Sequence, residues 1–268
     1  MIEKFKIDIP REKVSKIKEK VKNYPWNLIP NLPDWKHGTN LPYLKEICDY
    51  WIKDFNWSLY EKKINNFQNF KTNVDGINIH FIKEEGSGSN PKNLLLIHGW
   101  PGSVIEFIKI INQLAHPENY GGNKEDGVTV IAPSLPGFGF SESSNEPYGP
   151  RKIAEILNKM MTINLKYKNY VAQGGDWGAT IANWLGYDHD KYCKAIHINC
   201  LTMRHPDGPQ TDKEKKCQEK FDKDQIVQDG YRTQQATKPQ TLSYAMMDSP
   251  VGIAAWIIEK MHGWSDLK

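Results

Sequence analysis

The sequence is short of most features that assign a chain to a class by composition. Its four cysteines, Cys48, Cys193, Cys200 and Cys217, form no CxxC pair and no zinc spacing. That excludes a disulfide scaffold and a thiolate metal site, and reads as ordinary thiols in a reducing compartment. No run approaches the ~18 apolar residues that a membrane span needs. The start, Met1-Ile2-Glu3-Lys4-Phe5-Lys6, is charged and lacks the apolar core of a signal peptide. A soluble, cytoplasmic protein is the expectation. Neither sign of charge is in excess: Lys+Arg number 35 against Asp+Glu 32, net +3, with the lysines spread along the chain. This gives no footprint for a nucleic-acid partner. No internal repeat is visible, and 268 residues suffice for one large domain or one domain with an appendage.

Aromatic residues are plentiful, with nine Trp and twelve Tyr. They suit pockets for apolar or aromatic ligands, and they also fill cores. Residues 10–24 carry Val14, Ile17 and Val21 at helical spacing behind Pro10. Pro25, Pro30 and Pro33 then break the pattern, and Leu44, Ile47, Trp51 and Phe55 mark a second helix. Residues 1–70 read as a small helical region that packs on a later core. Alternation at Val74, Ile77, Ile79 and Phe81 around Asp75-Gly76 reads as a hairpin. Four short apolar runs follow, at 94–97, 128–131, 170–172 and 195–198, the last of which contains His197. Such runs are expected of strands buried on both faces of a parallel sheet. Helical patterns at 104–114, 153–165 and 179–185 separate them, so residues 71–204 read as an open, mostly parallel α/β sheet with helices on both faces. Residues 205–268 are first charged and then helical, with no further strand.

Three loops at carboxyl ends of strands, where open α/β sheets place their sites, carry the chemistry. One is Gln173-Gly174-Gly175-Asp176-Trp177-Gly178-Ala179, a strand-to-helix turn of the nucleophile-elbow kind with Asp where a Ser is usual. A carboxylate lifted to a helix N-terminus suits attack on a carbon bearing a leaving group, with an ester left on the enzyme. Another is His98-Gly99-Trp100-Pro101-Gly102, where Gly99 and Gly102 let backbone N–H groups approach a developing charge and Pro101 sets the bend through a cis bond. The last is Pro133-Ser134-Leu135-Pro136-Gly137-Phe138-Gly139-Phe140-Ser141. Taken singly, the elbow also fits a tight structural turn, His98 fits a packed, hydrogen-bonded strand-end histidine rather than a base, and the last loop fits plain turn chemistry. Their order after successive strands argues for one site.

The chain resembles the epoxide hydrolases of the microsomal and juvenile-hormone type within the α/β-hydrolase superfamily. The resemblance rests on Trp35, Gly38, Tyr43-Leu44, Trp51 and Asn56-Trp57 near the start, on His98 to Ser103, and on Gly174 to Gly178. Residues 237–241 and 248–257 resemble the family's cap, or lid. It implies an α/β-hydrolase fold with an N-terminal helical meander (1–70), a core (71–204) and part of a lid (205–268). It further implies Asp176 as nucleophile and Tyr231 as proton donor to an epoxide oxygen, while Tyr244 reads as core or lining. On the α/β-hydrolase plan the N–H groups of Trp100 and Trp177 bracket one oxygen of the Asp176 carboxylate. The implied reaction turns a small apolar or aromatic epoxide and water into a vicinal diol, without metal or organic cofactor.

The family's catalytic His, its acid and a second lid tyrosine fall after the cap. Of the histidines after Asp176 (His189, His197, His205, His262), none matches, and His205 is the one worth testing. The chain therefore reads as truncated, with an exposed sheet edge and impaired turnover expected. Two rival readings stay open: a haloalkane dehalogenase, which also uses an Asp followed by Trp, and a non-catalytic remnant that binds a ligand or partner.

Overall fold

The structure, a computed structural model, describes residues 1–200 and 205–267. It divides into two compact units, Met1–Asp8 with Leu59–Met203 and Ile9–Ser58 with Arg204–Lys268.

The first unit is built on a seven-stranded mixed sheet, formed by β1 (Ile2–Lys4), β2 (Gln68–Val74), β3 (Ile77–Glu84), β4 (Asn93–Ile97), β5 (Thr129–Pro133), β6 (Tyr170–Gly174) and β7 (Cys193–Ile198). Their order is β1-β2-β3-β5-β4-β6-β7. β1, β2, β3 and β5 pair antiparallel, whereas β5, β4, β6 and β7 run parallel. Val74 pairs with Ile77 across the expected hairpin. Asp75 and Gly76 both have positive φ, 50° and 87°, as a two-residue turn matched to strand twist requires.

β4 lies between β5 and β6, so the chain leaves it toward one side of the sheet and later returns on the other. That reversal opens a crevice at the carboxyl end of β4. The register pairs Ile97 with Gly174, which sets the loops after β4 and β6 side by side. Beneath them Leu95, Ile97, Ile131 and Ala172 are fully buried against Leu157, Met160, Ile181 and Leu185. Each large aliphatic side chain so buried contributes roughly 1.5–3 kcal/mol.

Helix α5 (Pro150–Lys159) starts with Pro at its first position, where no N–H is needed, and continues as a π turn, Met160–Asn164. The continuous helix expected at 104–114 is instead a 3-10 turn, Val104–Phe107, followed by α4 (Ile111–Ala115). Ser103 caps the turn by accepting from the Ile105 N–H, and the β-branched Ile105, Ile108, Ile110 and Ile111 resist a longer helix. α6 (Trp177–Asp188) follows the elbow.

Some expectations need correction. Residues 1–70 are not all helical: β1 joins the sheet, and the boundary drawn at 70 falls inside β2. β7 is not buried on both faces. From Lys194 to His197 it is exposed, so His197 sits on an open strand rather than in a buried one.

The second unit is helical. It comprises α1 (Arg11–Lys22), α2 (Leu41–Lys53), the start of α3 (Trp57–Asn65), α7 (Asp212–Gln228), α8 (Gly230–Thr237), α9 (Pro239–Asp248) and α10 (Pro250–Trp264). Thr211 and Glu214 form a reciprocal capping box at the start of α7. Val21, Leu44, Cys48 and Val251 make a small core with Trp26, Trp51 and Ile258 around them. α1 and α2 thus share their core with α10. Lys20 bonds the Asp248 carboxylate, Thr39 Oγ1 donates to the Ala255 carbonyl at 2.6 Å, and His262 stacks on Trp35 at 3.7 Å. Tyr244, read as core or lining, is 71% exposed on α9. Among the described residues no helix is long and apolar enough to cross a membrane.

Candidate active site

Asp176 sits between β6 and α6 at φ 52°, ψ −125°. A side-chain-bearing residue adopts such angles at a cost of about 1–3 kcal/mol, met only where the surroundings enforce it. Here they do. A Cβ on Gly174 would strike the Gly178 carbonyl, and a Cβ on Gly178 would strike the Ile97 carbonyl. Only glycine lets β4, β6 and the first turn of α6 close this tightly. The carboxylate therefore stands at the positive end of a twelve-residue helix.

The loop after β4 reaches the same point. The Trp100–Pro101 bond is cis. The Trp100 N–H donates to Asp176 Oδ1 at 2.9 Å. Gly99 is tight against Asp176, since a Cβ there would overlap the carboxylate. Trp177 is the first residue of α6, where N–H groups lack helical partners, and its indole is half exposed. The structure thus brings Asp176, Trp100, Gly99 and Pro101 together. It gives Trp177 its place beside them, without a backbone bond to the carboxylate among the described residues.

His98 is 1% exposed. Its Nε2 accepts from the Leu135 N–H at 3.1 Å, so its proton lies on Nδ1, which donates to the Gly99 carbonyl at 3.0 Å. Burial holds it below the ordinary imidazole range, against opposing contributions from the Gly99 carbonyl and the Asp176 charge. A neutral ring thereby ties the loop after β4 to the loop after β5.

That latter loop is pinned a second time. Asn69 donates both amide protons to the carbonyls of Ile64 and Phe67, so its oxygen accepts from His80 Nε2 at 2.9 Å, and Ser134 donates to His80 Nδ1 at 2.9 Å. His80 and Ser134 are fully buried. Desolvation first, then the Lys71 charge, lowers His80 to about 3.

Sequence reasoning passed over Glu106 and Asn199. The Glu106 carboxylate lies over Gly102, where a Cβ would overlap its Oε1. Burial of that carboxyl raises it above the ordinary range, the Ser103 backbone opposes the rise, and the Asp176 charge adds to it. Its position four residues after Gly102, one short turn on, was the available signal. Asn199 fills the space a Cβ on Gly175 would need, and its N–H donates to the Gly174 carbonyl at 3.3 Å.

Tyr231 belongs to the helical unit. It stands at the start of α8, packs edge-on against Trp264 with centroids 5.2 Å apart, and lines a cavity of about 730 Å³ with Trp35, His37, Gln234, Trp256 and Lys260. The late histidines are placed as follows. His189 ends α6, His197 is exposed on β7, and His262 stacks on Trp35. His205 is an exposed residue whose Nδ1 accepts from the Asp207 N–H at 3.2 Å.

Comparison with known proteins places the sequence and the fold. Residues 2–107 match the family described as "Epoxide hydrolase N terminus", and residues 92–246 match the "alpha/beta hydrolase fold" family. A protein of Stigmatella aurantiaca is 38% identical across 98% of this chain and 61% of its own length. "Epoxide hydrolase 1" of Sus scrofa is 34% identical across 99% of this chain and 63% of its own length. The crystal structure of juvenile hormone epoxide hydrolase from the silkworm Bombyx mori superposes with a TM-score of 0.81 at 32% identity, over 99% of this chain and 64% of that one. The Aspergillus niger epoxide hydrolase gives 0.86 at 27% identity, over 97% and 69%. The chain spans 61–63% of the length of these two sequence relatives.

Proposed function

The chain belongs to the alpha/beta-hydrolase fold family, and within it we propose an epoxide hydrolase that works through a covalent ester on Asp176. The observation that carries the proposal is the 2.9 Å bond from the Trp100 N–H to Asp176 Oδ1. One oxygen is fixed by a backbone donor, and Oδ2 is the oxygen presented for attack at the positive end of α6. An aspartate held this way is a nucleophile rather than a base. Oδ2 bonds to an epoxide carbon as that carbon's bond to the ring oxygen breaks. Tyr231 gives its proton to the departing oxygen, and a glycol monoester remains on Asp176. Water then cleaves the ester to the diol, the proton released returning to the Tyr231 phenolate, with the N–H groups of Trp100 and Trp177 stabilising the tetrahedral oxyanion. On this reading residues 1–70, with β1 and the start of β2 included, are the family's N-terminal region, 71–204 the rest of the core and 205–268 part of a lid. The aromatic lining of the Tyr231 cavity favours an apolar or aromatic epoxide.

The first half-reaction needs only residues already described, so it makes the test. Incubation with styrene oxide should give an intact-mass gain of one epoxide, mapped by peptide fragmentation to Asp176. Asp176→Asn should slow that adduct by about a thousandfold or more. Absence of both a wild-type adduct and diol formation, or an adduct that persists unchanged in the Asn variant, rejects the proposal.

A further inference from the structure

The cavity of the helical unit contains a charge that the proposed reaction does not use. Lys260, on α10, is 4% exposed. A buried lysine is uncommon unless its ammonium is fully bonded. Here Nζ donates to the Gln228 carbonyl and to Gln228 Oε1, both at 3.1 Å, and pairs with Glu259 at 2.8 Å. Gln228 itself packs close against α10, since a Cβ on Gly263 would come within 2.8 Å of its Oε1. The three contacts hold the ammonium 5.1 Å from the centre of the Tyr231 ring. That distance lies within the range in which a cation and an aromatic face attract.

We infer that Lys260 is a positioning residue for Tyr231: its held ammonium stabilises the negative charge that grows on the ring when the phenol gives up its proton. The catalytic meaning rests on Tyr231 being the proton donor; the electrostatic coupling does not. The attraction is modest for a neutral phenol and stronger for a phenolate, because the ring then carries a full charge. It therefore favours the state reached as the proton leaves, which is the condition for accelerating a step rather than merely tightening a complex.

Other charges around Tyr231 set the background. Asp229 and Arg232, at the start of its own helix, bond each other through two contacts of 2.6 and 2.8 Å, and the Tyr231 charge adds to the rise of Arg232 above its ordinary range. Glu259 opposes Lys260, yet its side chain is 26% exposed against 5% for the lysine, so solvent screens the carboxylate more than the ammonium. Lys36 and His37 line the cavity from the segment before α2. The cavity residues of α9, namely Thr241, Leu242 and Ala245, are uncharged.

The test reads the ionisation of Tyr231 directly. Tyrosine labelled with carbon-13 at the phenol carbon is incorporated, Tyr231→Phe assigns the resonance, and the signal is followed through alkaline pH. Lys260→Met should raise the ionisation midpoint of Tyr231 by about one pH unit, and Lys260→Arg should restore most of the shift. Glu259→Gln, which removes the opposing charge, should lower the midpoint and serves if Lys260→Met does not fold. An unchanged midpoint in folded Lys260→Met, or failing that in Glu259→Gln, overturns the inference. The rate of the Asp176 adduct is measured on the same proteins. A wild type that forms neither adduct nor diol defeats the functional proposal, while the titration still decides the coupling. A rate that falls about tenfold in Lys260→Met and recovers in Lys260→Arg ties the two together.

Discussion

The two units build their candidate sites by opposite means. In the sheet unit the elbow is made of backbone: a carboxylate at a strained φ, a donor N–H from Trp100, and glycines that let strands and helix touch. In the helical unit the cavity is made of side chains drawn from distant segments, with Trp35 and His37 from one end of the sequence and Tyr231, Trp256 and Lys260 from the other. Backbone construction fixes geometry closely and tolerates little change in atoms near the chain. Side-chain construction leaves the backbone tolerant and concentrates the effect in charge and shape. Asp176, as the proposed nucleophile, needs the former, because its aim decides the reaction. Tyr231, as the proposed proton donor, is served by the latter, because its readiness is tuned by the charge around it.

The contrast can be broken at the glycines first. Gly178→Ala places a methyl against the Ile97 carbonyl, where no side chain can move aside. It should cost about 3 kcal/mol or more in folding free energy, measured by urea denaturation. A cost under about 1 kcal/mol would mean that the elbow can relax and is not fixed by its backbone. An intermediate effect should come from His80, which is neutral in the fold down to about pH 3. The unfolded chain takes up its proton near pH 6.5, so the fold binds fewer protons below that point. Stability from this group is complete above 6.5 and is lost as pH falls toward 3, by at most about 1.4 kcal/mol per pH unit. Wild type should thus lose about 2 kcal/mol more than His80→Gln between pH 7 and pH 5 in matched urea titrations. Equal losses would show that the buried Asn69–His80–Ser134 chain carries no such penalty. The smallest effect should be that of Trp177→Phe. It keeps the N–H that the proposed oxyanion site uses and changes only a half-exposed ring, so adduct formation should change by less than about threefold. A large loss there, with release of halide from a chloroalkane, would instead favour the dehalogenase reading, in which the indole does the work.

What was legible in the sequence follows the same division. Buried strands write continuous apolar runs, and all four of those runs are strands in the sheet. The elbow and the cis-proline loop write glycines at fixed spacing, and the structure has both. β1 was missed because all three of its residues are exposed and their charged pattern carries no burial signal. The helix expected at 104–114 was broken by its own isoleucines, which satisfy an apolar period while resisting the helix. His197 and Tyr244 were misplaced because an apolar neighbourhood in sequence does not say whether another element covers it. Lys260 was invisible for a stronger reason. Its partner Gln228 lies 32 residues away, and no local spacing announces a buried ammonium.

The pairing of Ile97 with Gly174 has a consequence for how this protein can vary. Neighbouring strands stand about 4.8 Å apart whatever connects them. The separation of the two loops is therefore set by one rung of a ladder and not by the 71 residues between Gly102 and Gly174. Insertions in the exposed turns of that connection, even long ones, would leave the distance from Trp100 to Asp176 as it is. One residue added inside β6 would carry the elbow about 3.3 Å along the strand and turn its side chains to the opposite face. Change can accumulate in the exposed turns of that span, while the last residues of two strands keep the measure.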